Sequence, residues 1–168
     1  MAFIVEDGTG KDDATSYLSV AGADTYHTEH GNPSAWSSAT DAVKEGALMQ
    51  ATRYLDGNFS WRGTILVSDQ ALGWPRTGAV DDEGRDIDDA SVPMGVEEAT
   101  ALLALYHLST PLDASFSRGD QIRRQKVGSV EVEYDNYARP GTWMPFVRTV
   151  LKGMYVGGAA NQVTLQRA

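Results

Sequence analysis

A ten-residue stretch in the second half of the chain constrains the fold more than any other feature. Residues 99–108 read Ala-Thr-Ala-Leu-Leu-Ala-Leu-Tyr-His-Leu and are apolar almost all the way round when placed on a helix. Pro93 suits the first turn of such a helix and Pro111 ends it. A helix that is apolar on every side has to be buried on every side. The sequence therefore predicts a central helix over 93–109, in contact with its own chain and with other copies of it.

A second helix is predicted over residues 41–56. Its apolar residues recur at the spacing that turns one stripe of a helix toward a core, and they are Val43, Ala47, Leu48, Ala51, Tyr54 and Leu55. Asp41 is expected to cap its start. Gly57 follows the last apolar residue and is expected to end the helix.

The remaining pattern predicts a mainly α fold, a small bundle of about four helices. A helix over 20–30 has Ser19 as its cap, and a short amphipathic helix covers 143–152. Alternating residues around 122–135 predict a β-hairpin-like excursion. We expect one helical domain over residues 1–155 and an extended C-terminal tail over 156–168.

Trp74 precedes Pro75, so its backbone is expected to be extended and its ring to plug the core. A role for Trp74 in stacking on a ligand is the alternative. The residues expected to form the structural core are Tyr54, Leu55, Trp61, Trp74, Pro75, Leu102, Leu103 and Tyr106.

The charge of the chain is unevenly distributed. The net charge is −9 over 168 residues. Residues 1–120 carry −13, from 7 Lys+Arg and 20 Asp+Glu, whereas residues 121–168 carry +4, from 7 and 3. An acidic body repels nucleic acid at long range, and a basic C-terminal third favours an acidic partner or a second copy.

The chemistry of an enzyme is missing from the sequence. There is no cysteine, no glycine-rich phosphate loop and no zinc-ligand spacing. His27 and His30 share a helix face, but His107 is the only further histidine, so a metal site lacks an assured third ligand. We expect no enzyme activity, no cofactor and no metal. No segment resembles a signal peptide or a membrane span, which predicts a soluble protein made without secretion.

Several short motifs resemble a family of small tailed-phage proteins. They are residues 4–10, 51–56, 61–63, 70–78, 126–128 and 130–134, and the Trp74-Pro75-Arg76 block is the most specific of them. Proteins of this family often carry the label DnaT-like single-stranded DNA-binding protein. In size and helical layout they look similar to head–tail connector, adaptor or head-completion proteins, which ring the underside of the portal.

The two labels imply different functions. Single-strand binders combine a basic groove with exposed aromatic platforms. Here the body is acidic and the aromatic residues lie in apolar, periodic contexts. The expected function is therefore a structural virion protein, a head–tail adaptor ring whose lumen lets DNA pass. The alternative is a DnaT-like single-stranded DNA-binding protein.

The adaptor resemblance implies a homo-oligomer of 12 copies, with the portal protein and a tail or neck completion protein as partners. DNA would pass through the lumen without specific binding, and no membrane would be involved. The expected location is the neck of the virion, after assembly in the host cytoplasm.

The tail is the expected portal-binding element. Its alternating Val163 and Leu165 suit addition of a strand to the edge of a partner's sheet, and the Gly157-Gly158 pair is a hinge. The residues assigned to portal binding are Val156, Gly157, Gly158, Val163, Leu165 and Arg167.

Overall fold

The computed structural model describes residues 2–112, 124–127, 130–133 and 144–156. In these ranges the helices are α1 Val20–Glu29, α2 Ser34–Ser37, α3 Asp41–Asn58, α4 Met94–Ser109 and α5 Pro145–Val150. The strands are β1 Thr64–Ile65, β2 Arg76–Thr77, β3 Arg124–Val127 and β4 Val130–Glu133. β1 pairs with β2 and β3 with β4, both antiparallel. The predicted mainly α fold is confirmed.

One hydrophobic core joins the helices. α3 packs along α4, α1 packs against both of these helices, α2 packs against α4 and α1, and α5 packs against α4. Leu48 and Leu55 of α3 are fully buried, as are Val96 and Leu103 of α4. The apolar stripe of α3 therefore does what its spacing predicts, because a face of that width needs a partner to cover it.

α4 is less enclosed than its composition suggests. Val96, Ala99, Thr100, Ala101, Leu103 and Ala104 are buried. Leu102, Leu105 and Tyr106 are only half-buried, and no residue of the described ranges closes over them completely. These positions are therefore covered only in part by the described ranges of the chain, and the expected contact with other copies stays a prediction.

Several element ends differ from the prediction. Thr40, not Asp41, is the N-cap of α3, and Gly57 lies inside the helix, which ends at Asn58. Pro93 is the N-cap of α4. The predicted helix over 143–152 shortens to Pro145–Val150. Ser19 caps α1 as expected, its side-chain oxygen accepting the Gly22 N–H at 3.0 Å.

Two elements were absent from the prediction. One is the short helix α2, which holds Trp36; this residue is 1 % exposed and donates its indole N–H to Asp24 at 2.7 Å. The small β1–β2 pair was also missed, because strands of two residues carry no periodic signal.

Trp74 is a core residue at the centre of the loop between α3 and α4. Its side chain is 0 % exposed, and the Trp74–Pro75 peptide bond is cis. The ring of Trp61 packs against it at a centroid distance of 5.9 Å in an edge-on arrangement. The burial leaves no face of Trp74 for stacking on a ligand.

The carboxylate of Asp56 joins three separate segments. Its Oδ1 accepts the hydroxyl of Tyr17 at 2.5 Å and the indole N–H of Trp61 at 2.9 Å. Its Oδ2 accepts the backbone N–H of Gly73 at 3.0 Å. The same Tyr17 hydroxyl accepts the N–H of Trp74 at 3.2 Å. One acidic side chain at the end of α3 therefore fixes the N-terminal segment and both tryptophan loops.

The guanidinium of Arg76 also stabilises this loop through hydrogen bonds. Its guanidinium donates to the carbonyls of Arg62 at 2.7 Å, Gly73 at 3.0 Å and Gly63 at 2.8 Å. Burial lowers the pKa of Arg76, yet arginine keeps its charge in proteins. Its donors satisfy carbonyls in a loop with little regular structure of its own.

A buried glutamate organises the N-terminal segment. Glu6 is 4 % exposed, and its Oε1 accepts the backbone N–H groups of Asp7, Gly8 and Gly10 at 3.1, 2.9 and 2.9 Å. Its Oε2 accepts the N–H of Lys11 at 2.9 Å. A carboxylate with four such donors is well compensated for its burial.

We predict that Asp56→Asn destabilises the protein by about 1–3 kcal/mol. Both oxygens of Asp56 accept hydrogen bonds, so the NH2 group of an asparagine would face one of these donors and leave it unpaired. Chemical denaturation measures this change. Asp69→Asn is the matched control: it removes the same charge from an exposed loop position and should stay within about 0.5 kcal/mol. Equal effects of the two variants would contradict the role given to Asp56.

We also predict that stability falls as the pH drops below 6.5, the ordinary pKa of histidine. Burial lowers the pKa of His27, which is 2 % exposed, against the opposing effects of the Ala101 backbone and Asp24. The unfolded state therefore binds this proton more readily than the folded state does. The stability that neutral His27 contributes is present above pH 6.5 and is lost as the pH falls toward the folded pKa. Denaturation at several pH values should give a flatter profile for His27→Gln, and an unchanged profile would refute the assignment.

Candidate functional site

Most cations of the body are already paired. Between residues 2 and 112 there are 6 Lys+Arg and 18 Asp+Glu. Lys11 pairs with Asp7 at 2.9 Å, and Lys44 with Asp24 at 2.7 Å. Arg62 and Arg85 pair with acidic residues of the loop between β2 and α4, at 2.7 and 2.8 Å. Together with Arg76, whose donors are engaged by carbonyls, this accounts for five of the six.

Arg53 is the remaining cation of this range. It lies on the outer side of α3, is exposed, and forms no ion pair with any residue of the described ranges. Gln50 and Tyr54 lie three residues before and one residue after it, so the three side chains project from adjacent positions of one helix side. Together with Leu112, they line a cavity of about 240 Å³.

The far wall of this cavity is fixed by the end of α4. The backbone N–H of Leu112 donates to Nδ1 of His107 at 3.1 Å. This bond holds the chain against the last turn of α4 after the helix has ended at Ser109. The bond therefore fixes the position of Leu112, which lines the cavity together with the side chains of α3.

A second arginine, Arg148, lies near aromatic side chains next to this cavity. Burial raises the pKa of Tyr54, and Arg148 lies close enough to act against that rise while Tyr106 adds to it. The Arg148 guanidinium carbon lies 5.9 Å from the centroid of the Tyr155 ring, a cation–π arrangement. We call the surface formed by Gln50, Arg53, Tyr54, Tyr106 and Arg148 the α3–α5 face.

An apolar groove adjoins the α3–α5 face and shares Tyr106 with it. It measures about 320 Å³ and is lined by Leu102, Leu105, Tyr106, Ser109 and Phe146. Phe146 is 38 % exposed. The groove is the open side of α4 noted above.

The histidines do not form a metal centre. His27 is buried against Trp36, with ring centroids 4.6 Å apart, whereas His30 is exposed and stacks on Tyr26 at 4.1 Å. Across the described part of the chain, no three His, Cys, Asp or Glu side chains come together as a metal ion would require. None of the helices described above is both long and apolar enough to cross a membrane.

The residues predicted as structural core fall into two groups. Leu55, Trp61, Trp74, Pro75 and Leu103 are buried, whereas Tyr54, Leu102 and Tyr106 are half-buried and line the cavity or the groove. Of the predicted portal-binding tail, Val156 is 62 % exposed, and Gly157, Gly158, Val163, Leu165 and Arg167 lie outside the described residues.

Sequence reasoning did not identify Gln50, Arg53 or Arg148 as site residues. The available signal was local: two polar residues and a tyrosine at neighbouring positions on the outer side of an otherwise well-patterned helix. It was missed because the overall acidity, rather than the pairing of each cation, was used to judge the surface.

The structure defines the class of protein as a small helical domain with a surface that carries aromatic and arginine side chains. The chain matches, over residues 1–168, the family described as "Putative DnaT-like ssDNA binding protein", and it belongs to that family. Comparisons with curated proteins and with solved structures found no match.

The family match corrects the function expected from sequence. The head–tail adaptor assignment is wrong by this comparison, which names a single-stranded DNA-binding family and supports the alternative instead. The error came from treating a net negative charge as evidence against a local binding surface. The portal-binding role of the tail depended on the adaptor assignment and is not carried forward.

The outer side of α3 yields a stability prediction. Gly46 lies in the helix one turn before Gln50, and a Cβ added there would meet no atom within 4 Å. Gly46→Ala should therefore raise the free energy of unfolding by about 0.5–1 kcal/mol, because glycine is costly inside a helix. Gly63→Ala should instead lower the free energy of unfolding, because φ is +72° and the added Cβ would lie 2.6 Å from the Thr77 carbonyl oxygen. A destabilising Gly46→Ala in chemical denaturation would show that this side is already covered.

Proposed function

We propose that this protein binds single-stranded DNA through the α3–α5 face. Membership of the DnaT-like family is the observation that carries the proposal. The face supplies what such binding needs, namely cations for the phosphates and aromatic side chains for the bases.

The arrangement of charge favours this face over the β3–β4 hairpin. In the hairpin register, Arg124 lies opposite Glu133 and Lys126 opposite Glu131, so each basic position faces an acidic one. Arg53 has no such partner in the described ranges. A cation that forms no ion pair is able to replace the counterions of a phosphate.

The acidity of the rest of the molecule sets the strength of binding. A net charge of −9 opposes the approach of a polyanion. Only a small cationic face counteracts this repulsion, so few phosphates are neutralised. We therefore expect weak binding whose dependence on salt is shallow, about 0.7 in logarithmic slope for each phosphate contact of a single strand.

We predict that Arg53→Ala weakens binding to single-stranded DNA and reduces the logarithmic salt slope by about 0.7, the value of one lost phosphate contact. The measurement is fluorescence anisotropy of a labelled oligothymidylate over a series of salt concentrations, starting at low salt. Arg85→Ala is the matched control: it removes the same charge from an exposed arginine that is ion-paired with Asp81 and Glu83.

The control variant should bind as the unmodified protein does. If Arg85→Ala and Arg53→Ala weaken binding equally, only the net charge matters and the α3–α5 face is not the site. No binding by the unmodified protein at the lowest salt concentration would refute the proposed function itself.

A further inference from the structure

We infer that the cavity between α3 and the end of α4 receives one unpaired base of the bound strand. This inference rests on the proposed function and adds a defined base-binding site to it. The cavity is the one lined by Gln50, Arg53, Tyr54 and Leu112.

The volume of the cavity accommodates a single base. Pockets for complete small-molecule ligands usually measure about 300–1,000 Å³. A volume of about 240 Å³ is smaller than that range. It suits one base, while the sugar and the phosphate that carry the base stay outside.

Two residues that line the cavity are suited to contact a base. Tyr54 contributes an aromatic ring, and stacking on an aromatic side chain is available to every base because each has a π-face. Leu112 also lines the cavity and adds an apolar surface. The position of Leu112 is set by its bond to His107, so this wall is present before anything binds.

Gln50 provides the polar contact. It is half-buried, and no residue of the described ranges forms a hydrogen bond with its side chain. An amide both donates and accepts, and the edge of every base carries groups that do the same. A base in the cavity would satisfy an amide that is otherwise partly removed from water without a partner.

Arg53 completes the site from outside. It lies one helical turn from Gln50, about 4.5 Å farther along the axis at 1.5 Å per residue. Arg53 is exposed whereas Gln50 is half-buried, so the cation is placed for the phosphate and the amide for the base. In duplex DNA the base would first have to leave the stack, which favours single strands.

The experiment separates base contacts from phosphate contacts. Two labelled strands of equal length and charge are compared at low salt, one an oligothymidylate and one in which every base is replaced by an abasic residue. We expect the unmodified protein to bind the oligothymidylate about 5- to 150-fold more tightly, the range that stacking of one base spans.

Three variants test which residue makes which contact. Gln50→Met and Tyr54→Leu should reduce this ratio of affinities while leaving the salt slope unchanged. Arg53→Ala should reduce the salt slope while leaving the ratio unchanged. Thermal unfolding checks each variant, and Gln50→Met remains informative if Tyr54→Leu does not fold, because the side chain of Gln50 takes part in no hydrogen bond of the described structure.

The outcomes distinguish this inference from the proposed function. Equal binding of the two strands by the unmodified protein would overturn the base site and leave binding to the phosphate backbone intact. An unchanged ratio in Gln50→Met, with the salt slope also unchanged, would likewise overturn it. Failure of both strands to bind would refute the proposed function and the base site together.

Discussion

The hydrogen bonds of Asp56 hold together the parts of the chain that regular structure does not connect. Asp56 lies near the end of α3, and its carboxylate accepts donors from Tyr17, Trp61 and Gly73. The ring of Trp74 is then enclosed where these segments meet. Because α3 also carries Gln50, Arg53 and Tyr54, the network that secures the core also fixes the helix that carries the proposed binding residues.

The helices could be predicted from sequence because their signal is local. The stripe from Val43 to Leu55 and the apolar segment 99–108 place α3 and α4 with errors of only a few residues. The Asp56 network could not be predicted, since Tyr17 and Gly73 are 39 and 17 positions away along the chain. The three carbonyls held by Arg76 follow from the path of a loop with almost no periodic pattern. Polar contacts between distant segments depend on the fold and cannot be inferred from spacing.

The candidate site was hidden for a related reason. Tyr54 and Tyr106 fit the apolar spacing of their helices and were assigned to the core, but both are half-buried. A tyrosine at the edge of a core contributes packing on one side and an accessible surface on the other. Only the structure shows which cations are neutralised, and the pairing of Lys44 with Asp24 and of Arg62 with Asp82 is what distinguishes Arg53. Net charge describes the field at a distance, whereas binding depends on the charges in contact.

An acidic body and a small cationic face have a combined effect that neither has alone. Repulsion from the body acts at long range and is screened over about 8–10 Å at physiological ionic strength. Contacts at the α3–α5 face act at short range, where a stacked base adds affinity that salt does not remove. Most of the specificity for a strand would then come from its unpaired bases rather than from its charge. Duplex DNA presents the same phosphates with its bases stacked, so under the proposed function it would meet the repulsion without the compensating contact, and discrimination between the two forms would depend on the base.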